Sequence, residues 1–232
     1  MTETTTNTKG ANSNLSHRFD PFDKLRAGKL TIEWLFNPFR FIAGVKTLLI
    51  GLTIILISAF VGSLSNTHFD GVLDLHTGAA APMWFFLVEG LIDWICLAVP
   101  LFLFGLIVSR SAFRTIDVLG TQALARWPYL IAALAMLPNA NQRVLAYLMS
   151  KLIQTAPAAA INPADVLVFG SAMIVVLLMT IWMVALMYRA YAVSCNIKGA
   201  RAVATFIVGL IAAEAISKFA MFLLVRAFLV SP

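Results

Sequence analysis

Apolar residues fall in long blocks along this chain, and the charged residues collect mainly between the blocks. A helix that crosses a bilayer needs about 20 mostly apolar residues. Four blocks meet that length directly: 41–64, 84–108, 166–188 and 202–230. The first carries only Lys46, whose long stem lets its ammonium group reach an interface. The second carries Glu89 and Asp93 in its first half, and the last carries Glu214, Lys218 and Arg226. Between the second and fourth spans, the clean apolar run Trp127–Leu137 is too short to cross. Extending it back to Leu119 supplies the length but takes in Arg126 and Pro128. Proline is tolerated in a membrane helix when neighbours satisfy the freed carbonyl, and Arg126 is expected to snorkel towards an interface. With that segment counted, the pattern predicts an all-α polytopic helical bundle of about five transmembrane helices over residues 41–232.

The remaining stretches have other patterns. Residues 143–153 place Val144, Leu145, Leu148, Met149, Leu152 and Ile153 on one helical stripe, which predicts a helix lying in the interface. Pro157 and Pro163 flank an Ala-rich connector. Residues 1–16 are rich in Thr, Asn and Ser and are expected to be a disordered tail. Residues 17–40 mix aromatic and basic side chains, interrupted by Pro21 and Pro38, and suit a juxtamembrane leader at the headgroup layer. No apolar core follows a basic start within the first thirty residues, so a cleaved signal peptide is not expected and the first span reads as a signal-anchor.

Composition agrees with the pattern. The chain is 60% hydrophobic and 12% charged, against about 45–50% and about 25% in soluble domains. Net charge is +6 and the isoelectric point about 9.6, which in a soluble protein would raise nucleic acid as a partner. Here the basic residues sit beside the spans, so no nucleic-acid partner is expected. The N-terminal region holds Lys9, Arg18, Lys24, Arg26, Lys29 and Arg40, the second loop Arg110 and Arg114, and the fourth Arg189, Lys198 and Arg201. The first loop has none, and the third has Arg143 and Lys151. Five spans put the N-terminus and the second and fourth loops on one side, expected to be cytoplasmic, with the C-terminus outside. The expected partners are the lipid bilayer, including anionic headgroups, and a protein partner or a homodimer.

The charges inside spans are the candidate site. Such charges are costly, turn inward, and pair or line a path for ions. Glu89 and Asp93 are four residues apart on one face of their helix, as are Glu214 and Lys218. At a rise of about 1.5 Å per residue, Asp93 and Lys218 lie roughly 14 and 17 Å below the outer surface. Glu89 and Arg226 lie at roughly 8 and 4 Å on the same scale. Depth alone therefore predicts two ion pairs, Asp93–Lys218 and Glu89–Arg226, serving either helix packing or an ion or proton path. In the first loop, His68, Asp70, Asp74 and His76 are ligand types suited to zinc, but their spacing matches no metal motif and a solvated loop is expected. Gly209 and Ala213 form a small-xxx-small face for a neighbouring helix, in the same chain or in a dimer. Cys96 and Cys195 belong to no CxxC pair and read as small buried thiols. No GxSxG, HExxH, Walker loop or dinucleotide fingerprint occurs, so a non-enzymatic protein without catalytic residues, cofactor or metal is expected.

Three stretches resemble the YIP (Ypt-interacting protein) family of multispanning membrane proteins, in its bacterial branch. They are TIEWLFNPFRFI (31–42), RTIDVLGTQALARWPYLI (114–131) and IWMVALMYRAYAVSCNIKGARAVATFIVGLI (181–211). Their order and spacing extend the resemblance over residues 31–230. The resemblance implies a five-span helical domain with a cytosolic N-terminus, here in a bacterial inner membrane, and a non-enzymatic scaffold or adaptor role. Eukaryotic relatives recruit small GTPases or shape membranes, and no catalytic residue carries over. The alternative is a small transporter or channel component using Glu89, Asp93, Glu214 and Lys218. A transporter requires a hydrated cavity reaching those residues; a scaffold buries them as dry pairs.

Overall fold

The computed structural model describes residues 32–153 and 161–230, with side chains described to 227. The expected tail 1–16, most of the leader, and the connector around Pro157 lie outside the described residues. The described chain is predominantly helical. Four helices are long and apolar enough to cross a membrane: α1 (Gly44–Leu64), α2 (Met83–Val108), α6 (Pro163–Ser194) and α7 (Gly199–Val230, its qualifying portion Gly199–Ala227). Shorter helices α3 (Thr115–Ala125), α4 (Pro128–Met136) and α5 (Asn139–Ile153) lie between α2 and α6. Outward-facing Leu49, Phe60, Ile107, Leu177, Ile211 and Phe222 are all exposed. Apolar surface on this scale suits lipid rather than water.

The third expected span is two helices, α3 and α4, joined by a tightened turn at Arg126–Trp127. Pro128 has no N–H to give to the carbonyl of Leu124. The N–H of Trp127 takes that carbonyl at 3.1 Å, and Arg126 donates to Ala123 at 3.3 Å. Both linking residues keep right-handed helical angles, so the chain continues forward and does not turn back. Arg126 does not snorkel, as the sequence had suggested. It is 3% exposed, in the middle of the bundle.

The pair α3–α4 runs alongside α1, in the same direction, for its full length. Gly120 sits against Gly44 and Leu48 near the start of α1, and Gly51 sits against Ala123 and Leu124. At the far end Gln142 donates to the carbonyl of Ser65 at 3.2 Å. A Cβ on Gly51 would lie 2.4 Å from the backbone nitrogen of Leu124, and one on Gly120 would lie 2.9 Å from that of Leu48. Only glycine permits this approach. The polar residues of α3 are tied down: Gln122 donates to the carbonyl of Met187 at 3.1 Å, and Thr121 shares a hydrogen bond with Ser194 at 2.8 Å.

Loop contacts establish which helix ends share a face. Ser109 donates to the carbonyl of Cys195 at 2.7 Å, and Asn196 to Ser111 at 3.2 Å. The loops after α2 and α6 therefore meet on one face, with the start of α1. The loop after α1 meets Glu214, Ser217 and Lys218 on the other. The described residues thus pass through the bundle five times, four times as a long helix and once as α3–α4.

Two smaller features follow the sequence with changes. Phe39 is 3% exposed within a short 3-10 turn, Pro38–Arg40, that packs on α6, and the Phe36 ring lies 5.6 Å from Trp182. The end of the leader therefore belongs to the bundle. Gly209 closes on α2 in the same chain, where a Cβ would lie 2.7 Å from Leu101, and Ala213 is fully buried. The small-residue face is thus used within one chain.

Candidate functional site

The loop after α1, expected to be solvated, is folded onto the bundle. A two-residue antiparallel pair, β1 (Thr67–His68) with β2 (His76–Thr77), closes its neck. Phe69 and Val72 then point inward and are buried, with the Phe69 ring 5.1 Å from Tyr129. Turning a loop inward requires partners for its backbone. Val72 donates its N–H to Ser217 at 3.2 Å and accepts from the Tyr129 hydroxyl at 3.4 Å. Leu73 donates to the Glu214 carboxylate at 3.0 Å.

Three groups of charges sit beneath and within this loop. Outermost, Lys218 donates to Asp70 at 3.2 Å and to Asp74, and His76 bonds Asp70 at 3.1 Å. Deeper, His68 Nδ1 lies 2.9 Å from Glu89 and His68 Nε2 lies 2.8 Å from the carbonyl of Ala79. Deepest, Arg126 donates to Asp93 at 3.2 Å, with its guanidinium 5.3 Å from the Tyr129 ring centre. Glu89 and Asp93 are 1% and 0% exposed.

The depth-based pairs are therefore corrected. Asp93 pairs with Arg126 rather than Lys218, and Glu89 with His68 rather than Arg226. Helices α2 and α7 do pack together, but depth ignores lateral position. The pair α3–α4 brings Arg126 to Asp93, while the loop draws Lys218 towards Asp70 and Asp74. Lys218 forms no ion pair with Glu214 among the described residues, and Arg226 is exposed with no ion pair among them. The partners that sequence reasoning missed are His68 and Arg126. Arg126 carried a readable signal: a cation inside an otherwise apolar segment needs a carboxylate at its own depth.

Hydrogen bonding constrains the state of His68. A carbonyl only accepts, so Nε2 carries a proton. One further proton then lies between Nδ1 and Glu89, as imidazolium with carboxylate or imidazole with carboxylic acid. Either state leaves the pair neutral overall. Glu89 Oε2, Asp93 Oδ1 and Arg126 Nη1 are buried without a hydrogen-bond partner among the described residues. A cavity of about 10 Å³ touches Arg126, Tyr129 and Ser58. Towards the loop surface, a cleft of about 230 Å³ is lined by His68, Asp70, His76, Phe85 and Glu89. Asp70, Asp74 and His76 come within ligating reach of one another, but the ammonium of Lys218 already bridges the two carboxylates. The loop is a clamp on a lysine before it is a metal site.

Stability should follow the titration of this loop. Burial alone would raise Asp70, but the hydrogen bonds and charges of His76 and Lys218 lower it to about 2. Its contribution is present above the ordinary carboxylate value near 4 and is lost as pH falls towards 2. The Asp70 hydrogen bond raises His76 against burial. Burial opposes charge on His68, but the hydrogen bonds to Glu89 and Ala79 and the nearby carboxylates outweigh it and raise its pKa. Both contributions are complete below the unfolded histidine value of about 6.5. They are lost as pH rises through the higher folded values. The melting temperature of the detergent-solubilised protein should therefore be greatest between about pH 4 and 6.5. His76→Gln should flatten the alkaline limb, and an unchanged limb would show that His76 does not hold the loop.

A bundle with apolar outer faces and inward-turned charges is a polytopic membrane protein. No family model, curated protein or solved structure matches the chain.

Proposed function

We propose that the protein is a non-enzymatic membrane scaffold of the YIP type, set in a bacterial cytoplasmic membrane with its basic face towards the cytosol. One observation carries the scaffold reading: the charges within the spans are used to fasten this chain to itself. Lys218 clamps Asp70 and Asp74, Glu214 holds the backbone of Leu73, and Asp93 meets Arg126 directly. The pocket beside Arg126 holds about 10 Å³, room for about one water. Arg110, Arg114, Lys198 and Arg201 share the face of the loops after α2 and α6, and the positive-inside rule turns that face to the cytosol.

A second reading rests on the unpartnered atoms of Glu89, Asp93 and Arg126. These lie inward of the cleft that reaches His68 and Glu89. A proton entering at His68 would have Glu89 and then Asp93 ahead of it, four residues further along the same helix face. One set of measurements separates the two. Purified protein in vesicles with an imposed pH gradient should leak protons no faster than empty vesicles. Leak above that level, abolished by Glu89→Gln and Asp93→Asn, would replace the scaffold with a proton path. In intact cells, a cysteine at Ala80, exposed in the loop after α1, should react with an impermeant reagent while one at Lys198 stays protected; the reverse would invert the orientation.

A further inference from the structure

The basic face carries a cleft that has no part in the loop clamp. It holds about 380 Å³ between the end of α2 and the start of α7, lined by Val108, Arg110, Asn196, Ile197, Lys198 and Arg201. Its floor is preformed. Ser109 and Asn196 tie the two loops together through Cys195 and Ser111, Cys195 and Ile197 are buried, and Asn196 adopts the left-handed turn with φ 50°.

Three cations line it, and none of them is spent on a carboxylate among the described residues. Arg114, four residues after Arg110, makes two hydrogen bonds to Asp117 at 2.9 and 3.0 Å. Arg143, on the opposite face, does the same with Asp165 at 2.9 Å and a second bond of 2.6 Å. Arg110, Lys198 and Arg201 form no ion pair among the described residues. Helix α7 also begins here with no acidic residue in its first turn, so its free N–H groups add positive field. Three cations gathered on one preformed cleft without a carboxylate favour an anion from outside the chain. On the two helices whose ends border the cleft, Leu103, Leu106 and Ile107 of α2 and Val203 and Ile207 of α7 are exposed apolar residues. A soluble anion would leave that surface unused.

We propose that this cleft binds the phosphate of an anionic phospholipid, whose acyl chains lie along the exposed apolar sides of α2 and α7. The site rests on the membrane placement above and not on the scaffold role, and it holds whether or not the opposite face moves protons. Arg110 and Arg201 supply planar forks for phosphate oxygens, and Lys198 adds a point charge.

The test uses the full chain in detergent, offered equal amounts of phosphatidylglycerol and phosphatidylcholine, with retained lipid counted by native mass spectrometry. The protein should retain phosphatidylglycerol in preference by at least about tenfold. Arg110→Gln, Lys198→Gln and Arg201→Gln should each remove part of that preference, and the triple variant should bring it within about twofold of parity. Arg143→Gln, on the opposite face, should keep it. Thermal melting of each variant in detergent separates lost binding from lost folding. Equal retention of the two lipids by the wild type overturns the proposal, as does an undiminished preference in a folded triple variant. Stabilisation by inorganic phosphate that is lost in the triple variant, without any lipid preference, would assign the cleft to a soluble phosphate instead.

Discussion

Arg126→Met is expected to destabilise the protein by about 3–5 kcal/mol, the cost of breaking one side of a buried ion pair. The geometry leaves little room for relief. Arg126 is 3% exposed and Asp93 fully buried, the two meet at 3.2 Å, and the adjoining cavity of about 10 Å³ holds about one water. The guanidinium also lies over Tyr129, whose hydroxyl holds the carbonyl of Val72. Loss of Arg126 should therefore loosen the folded loop as well. The double variant Arg126→Met with Asp93→Leu should recover most of the loss, because replacing both partners removes the uncompensated charge. The measurement is a reversible denaturation series in mixed detergent, supported by protease sensitivity of the loop between α1 and α2. A single variant costing less than about 1 kcal/mol would mean that the pair is solvated. A double variant no better than the single would assign the loss to packing.

Gly51→Val should have a comparable effect through shape alone. At Gly51 even a methyl group would sit 2.4 Å from the backbone nitrogen of Leu124 and 2.6 Å from the carbonyl carbon of Ala123. Neither is a flexible side-chain end that can swing away. Relief requires α1 and α3 to separate, and with them the helix that carries Arg126 towards Asp93. Overpacking commonly costs about 1–3 kcal/mol; here the obstacle is backbone, so the loss should reach or exceed the top of that range. Gly170→Ala is the control. Nothing lies within 4 Å of a Cβ at Gly170 in α6, so relief of backbone entropy should stabilise by about 0.5–1 kcal/mol. Equal effects at the two glycines would show that the α1–α3 approach is looser than described.

The sequence carries a signal for this approach, although only Gly209 and Ala213 were read from it as a small-residue face. Gly44, Thr47, Gly51, Ser58 and Gly62 are all buried in α1, and their spacing places them along one side of the helix. Such a stripe identifies a contact face. It does not say which helix fills it, because α3 lies more than fifty residues later. The inward turn of Glu89 and Asp93 was equally legible, since four-residue spacing on an apolar helix leaves both on the protected side. Their partners were not. His68 looked like a residue of a polar loop. Its burial depends on Phe69 and Val72 folding inward, and on Ser217, Glu214 and Tyr129 meeting the loop backbone.

The sequence by itself determined the membrane class, the helical content, the places where the chain crosses and the inward turn of Glu89 and Asp93. These follow from properties local to each segment: the length of an apolar block against the thickness of a bilayer, and the period of a helix. Only the tertiary structure decided that α3–α4 occupies the middle of the bundle, that the first loop folds down, and that Asp93, Glu89 and Lys218 choose Arg126, His68 and the Asp70–Asp74 pair. Residue number along a span measures depth, which is one coordinate. An ion pair is settled by lateral position and helix rotation as well, and those come from packing between segments far apart in the chain.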